Sequence, residues 1–186
     1  LRAALRAIPK TAPDEAPLSE EQNYEKALKL PMKKRTSRNF IVAAPHLEEP
    51  VLENLIRHCE HTFAMWNAFF GSPKVFSSKM QFLVLKERSQ HEAYVDAFDR
   101  REKTFKDHAK KLAAQLGFPT VECCQGSRGV DSIEDLAVHS TAQNLIRRFA
   151  VGAKTKTHDP IWLTEGMAYW FSYAVKGTTA WGCVEL

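Results

Sequence analysis

The stretch from Ile161 to Val175 constrains this 186-residue chain more than any other. A helix drawn through it carries apolar side chains on nearly every side: Ile161, Trp162, Leu163, Met167, Ala168, Trp170, Phe171, Ala174 and Val175. A helix of that kind is expected to be buried on most faces. Asp159 can cap its N-terminus and Pro160 suits its first position. Glu165 sits in the middle of this run. A carboxylate taken out of water is costly unless it meets a cation, a metal or a hydrogen-bond network. Gly166 follows it, at a cost of about 1 kcal/mol against Ala in a helix interior. The expectation is therefore that another backbone comes close there, as Ala168 also allows. The run is the longest apolar one in the chain, and it stops short of the roughly 20 residues that cross a bilayer.

A partner for Glu165 is found in Leu136-Ala-Val-His139-Ser140-Thr-Ala-Gln143. A helix is expected over about 132–151, with Asp131 and Ser132 as cap candidates and Asp135 in the first turn. His139 and Gln143 are four residues apart, so they share one face of that helix. This is the spacing at which two side chains reach one metal in His-Glu-x-x-His. In that motif the residue after the first His is the Glu that activates water.

On these two segments the chain resembles the gluzincins, above all the peptidase MA-like group. In that group a strand, a helix and another strand precede the His-Glu-x-x-His helix. The next helix then carries Trp-Leu-x-Glu-Gly-x-Ala-x-Tyr/Trp, whose Glu is the third zinc ligand. Trp162, Leu163, Glu165, Gly166, Ala168 and Trp170 fall on that pattern, and the resemblance covers about residues 38–176. It implies a zincin-like α+β fold, a small mixed sheet with helices packed on it and two consecutive motif helices. It also implies that His139 and Glu165 are remnant metal-ligand positions and Gln143 a lost one. Ser140 stands at the general-base position. Zinc in a catalytic site takes three protein ligands plus water. A neutral amide is a weak donor to zinc, and a serine has no basicity near neutral pH. No residue is therefore assigned as catalytic. The expectation is a non-catalytic, pseudo-metallopeptidase module with a binding, scaffolding or assembly role and a protein or peptide partner, and with no cofactor beyond a weak or vestigial zinc. The alternative is a zinc-dependent hydrolase with an atypical ligand set. Without metal, His139 and Glu165 can satisfy each other through a charge-assisted bond, with Gln143 and Ser140 completing the network.

The rest of the chain is read as one domain at 38–186, truncated at its C-terminus on the expectation that such peptidases need further structure, and an N-terminal arm at 1–37. Pro9, Pro13, Pro17 and Pro31 break the arm, and a helix is expected at Ser19–Leu30. Lys33, Lys34, Arg35 and Arg38 read as a solvated linker rather than a nucleic-acid contact, since no aromatic residue is interleaved with them. Strands are expected at Asn39–Ala44, Lys79–Lys86 and Pro119–Cys124. Pro50 opens a helix whose face is Leu52, Leu55, Ile56, Cys59, Phe63, Trp66 and Phe70, and Gly71 closes it. A charged helix is expected over 89–116, then a turn at Gly126–Gly129. Helices are expected on one face of the sheet.

Composition adds limits. Apolar residues make up 44%, enough for a core, and the net charge of +4 is only mildly basic. The four cysteines, Cys59, Cys123, Cys124 and Cys183, form no Cys-x-x-Cys pair. Cys59 reads as a small hydrophobe, and a Cys124–Cys183 disulfide stays open. His58-Cys59-Glu60-His61 lacks a third ligand for a metal, whereas His158 could replace the missing ligand from the loop between the motif helices. Because the chain opens on Leu1, a removed signal sequence and an exported or periplasmic protein are compatible with it.

Overall fold

The computed structural model describes residues 24–71, 79–98, 103, 107, 123–125, 130–146 and 161–177. The described elements are α1 (Tyr24–Leu28), β1 (Lys33–Thr36), β2 (Phe40–Ala44), α2 (Glu49–Phe70), β3 (Met80–Leu85), α3 (Arg88–Phe98), β4 (Cys123–Gln125), α4 (Val130–Ile146) and α5 (Ile161–Lys176). The architecture is mixed α+β, as expected. The Gly126–Gly129 turn and the helix beyond Phe98, apart from residues 103 and 107, lie outside the described residues.

The sheet runs in the order β1-β2-β3-β4. β2, β3 and β4 are parallel, with Phe40 opposite Met80 and Leu83 opposite Cys123. β1 joins antiparallel, with Lys33 opposite Ala44 and Thr36 opposite Ile41. Every residue of β2 is buried, and all of β3 except Gln81. Strands covered on both faces have this continuous apolar text.

The two faces feed two cores. Phe40, Val42, Ala44, Met80, Phe82 and Val84 pack with α2, α4 and α5. Ala43, Leu83 and Leu85 face the other way, onto Tyr94 of α3 and towards Leu28 and Met32. The helices thus lie on both faces, not on one. The uninterrupted Phe40–Ala44 run was the sign of it, because a one-sided strand alternates apolar with polar residues.

A second difference concerns the basic run. Lys33–Thr36 is an edge strand rather than a linker. Its cations face carboxylates: Lys33 pairs with Glu48 at 3.2 Å, Lys34 with Glu25 at 3.3 Å, and Arg35 with Glu49 and with Glu53 at 3.6 Å. Charged side chains are a common way to protect an exposed strand edge from further pairing. The hairpin after β1 is held by Glu60 of α2. Its Oε1 accepts from Ser37 Oγ at 2.6 Å and from the Asn39 N–H at 2.9 Å, and its Oε2 accepts from Asn39 Nδ2 at 2.9 Å.

α2 follows its sequence signals. Pro50 lies in its first turn, and Gly71 ends it in the left-handed conformation (φ 60°), donating its N–H to the Asn67 carbonyl at 2.9 Å. All of the expected apolar face is buried except Phe70. Cys59 is fully buried there, and burial pushes its thiol up to about 12. It behaves as a small apolar side chain.

The burial expected of the last helix falls instead to the one before it. α4 is the buried one: from Ile133 to Ile146 only Glu134 and Gln143 reach the half-buried range. Its small polar residues Ser140, Thr141 and Asn144 hide this in the sequence, yet all three are buried. Asn144 donates Nδ2 to the Ser140 carbonyl at 2.8 Å and so stays inside the helix's own hydrogen bonding. α5 is not buried all round. It packs Ala168 and Phe171 inward, with Phe171 stacked 6.0 Å from Trp66, and leaves Trp162 78% exposed. No helix among the described residues is long and apolar enough to cross a membrane.

Candidate functional site

α4 and α5 bring His139, Gln143 and Glu165 together. His139 projects from the middle of α4 and is 2% exposed. Its Nε2 lies 3.0 Å from Glu165 Oε2. Gln143, one turn further along the same face, donates Nε2 to Glu165 Oε1 at 2.5 Å and sits 3.1 Å from His139 Nε2. A consistent proton assignment gives His139 an Nε2–H that donates to Glu165. The Gln143 amide then donates to the other carboxylate oxygen, and the close pair of nitrogens is a contact rather than a bond. Tyr169, four residues after Glu165, sets its ring edge-on to the imidazole at 4.8 Å and 66°. The carboxylate is a third exposed, so one side of the site reaches solvent.

Ser140 does not join this network. It is 5% exposed, and among the described residues no hydrogen bond links its hydroxyl to His139, Gln143 or Glu165. One residue along a helix turns a side chain by about 100°, which carries it away from the face that His139 and Gln143 share.

The donor set fits a catalytic zinc poorly. It offers one imidazole, one carboxylate and one neutral amide, and these groups already contact one another directly at 2.5–3.1 Å. Among the described residues no group of three or more His, Cys, Asp or Glu side chains is placed to hold a metal ion. His158 lies outside the described residues.

The other histidine candidate is dispersed. In His58-Cys59-Glu60-His61, Glu60 turns to the β1–β2 hairpin and Cys59 to the core. His58 Nε2 instead lies 3.3 Å from Glu134 of α4. Glu134 also pairs with Lys176 of α5 at 3.4 Å, and Lys176 reaches Asp135 at 2.6 Å. All four side chains are largely buried, which makes a charge cluster clasping α2, α4 and α5. Burial lowers the His58 imidazole below its ordinary range; Glu134 opposes that and Lys176 reinforces it. Neither this cluster nor the Tyr169 contact was legible in the sequence. Only the four-residue step from Glu165 to Tyr169 could have hinted at the latter.

Gly166 differs from expectation. A Cβ built there meets nothing within 4 Å, and the residue is exposed. No backbone among the described residues approaches it. Comparison with protein-family models, with curated proteins and with solved structures finds no match.

Proposed function

We propose that the chain is a peptidase-like module of gluzincin type that has given up hydrolysis and serves in binding, scaffolding or assembly. The observation that supports this reading is the direct closure of His139 Nε2 and the Gln143 amide on the Glu165 carboxylate. The three positions that a metal would bridge are joined by hydrogen bonds, and the residue after His139 is a serine without basicity. In this reading the trio is a strut between α4 and α5. An extended peptide could then be held as an added strand on the β4 edge of the sheet, the β1 edge being guarded by its charges, because that mode needs main-chain hydrogen bonds and no zinc.

The test is cleavage of a complex peptide mixture by the purified protein, with His139→Ala in parallel and zinc supplied to both. The reading expects the two cleavage profiles to coincide. Cleavage that depends on His139, with zinc near one equivalent, would instead support a zinc-dependent hydrolase with an atypical ligand set.

A further inference from the structure

The exposed side of α5 carries an aromatic stripe. Trp162, Gly166, Trp170 and Tyr173 follow at steps of four, four and three, so they line one face of the helix. Trp162 is 78%, Trp170 46% and Tyr173 61% exposed. Phe69 extends the patch from the end of α2, edge-on to Trp170 with ring centroids 5.1 Å apart, and is 55% exposed. Phe70 beside it is 38% exposed. No charged residue lies on this stripe; Glu165 and Lys176 lie at its margins.

Two features say what covers it. The first is symmetry. Gly166 lies midway between two tryptophans, four residues from each, in the order Trp-x-x-x-Gly-x-x-x-Trp. Turned by a two-fold axis through Gly166, the two tryptophans exchange places: Trp162 of one copy meets Trp170 of the other, about 6 Å along the helix from the axis. The glycine marks the crossing. It is open to solvent with nothing within 4 Å of a built Cβ, so nothing among the described residues calls for a glycine there. At a helix crossing the missing side chain lets two backbones approach closely.

The second is area. A whole aromatic side chain offers about 150–250 Å², so the fractional exposures of the five rings leave roughly 600 Å² per copy. That is the upper end of what a monomer leaves bare. Two such faces bury about 1,200 Å², the lower end of specific interfaces.

We infer that the chain forms an isologous homodimer through antiparallel packing of α5 on α5, centred on Gly166. The inference does not rest on the proposed function, since the stripe is a different face of α5 from the one that carries Glu165 inward.

Sedimentation velocity across the micromolar range tests it, on the parent chain and on Trp162→Glu and Gly166→Leu. Both substitutions are at open positions, so circular dichroism at low concentration should match the parent; melting should match for Trp162→Glu and rise for Gly166→Leu, which removes a helix-interior glycine. The expected result is a concentration-dependent dimer in the parent that is lost in both variants. As a readout without added bulk, Gly166→Cys should gain an oxidative cross-link between copies that Trp162→Cys lacks, because only the axial position brings two Cα atoms within the roughly 4.4–6.8 Å a disulfide needs. A parent that stays monomeric, a dimer that survives either substitution, or equal cross-linking at both positions overturns the inference.

Discussion

Replacing His139 by Ala and Glu165 by Gln, singly and together, measures how firmly the trio ties α4 to α5. The bond runs 3.0 Å from an imidazole 2% exposed to a carboxylate 34% exposed. A hydrogen bond to a charged group contributes about 1.5–3 kcal/mol when shielded. The access of Glu165 to water moves the expected coupling down to about 1–2 kcal/mol. His139→Ala alone should cost more, about 2–4 kcal/mol, because it also empties the space against the Tyr169 ring. At about 2–4 °C per kcal/mol for a chain of this length, its midpoint should fall by roughly 5–15 °C. Thermal and urea melts of the four proteins, with and without a chelator, give the coupling as a difference of differences. The strut account expects the same coupling in both conditions. A coupling below about 0.5 kcal/mol, or one that collapses when the chelator is added, refutes it.

Three further outcomes follow from the same geometry. Gln143→His supplies the second imidazole and should gain zinc. At a hundredfold excess over the dissociation constant, binding should stabilise the variant by about 2.7 kcal/mol, read as a zinc-dependent rise in melting temperature that the parent lacks. Lys176→Met leaves the Glu134 and Asp135 carboxylates buried without their cation and should cost about 3–5 kcal/mol, checked by denaturant melts. Burial lowers the His91 imidazole below its ordinary 6.5, and neither ring nitrogen has a hydrogen-bond partner among the described residues. As pH falls the unfolded chain therefore takes up the proton first, so this contribution is complete above about pH 6.5 and drains away below it. His91→Leu should flatten the decline in melting temperature between pH 7 and 5, about the span over which the proton is taken up.

Those parts of the fold whose information is local could be read in the sequence. The apolar runs of β2 and β3, the face of α2 and its Gly71 cap are written in periodicity and turn chemistry. What depends on a partner across space was not. Lys33–Thr36 reads as a linker because its charges are solvable only by knowing that Glu25, Glu48, Glu49 and Glu53 lie opposite. The central burial of α4 is masked by Ser140, Thr141 and Asn144, whereas the surface position of α5 is masked by tryptophans that face outward. At the site, the four-residue step from His139 to Gln143 and the lone carboxylate of α5 were enough to anticipate their meeting. The separation of Ser140 follows from its 100° step around α4, whereas the Lys176 cluster was not legible, since it depends on how the helices are rotated against each other.

The metal content of the purified protein, measured by mass spectrometry after equilibration with zinc and removal of the free ion, bears most directly on whether the trio is a strut. Zinc far below one equivalent, with a melting temperature unchanged by a chelator, is the result the account predicts. Zinc near one equivalent in the parent, lost in His139→Ala and in Glu165→Gln, would contradict it.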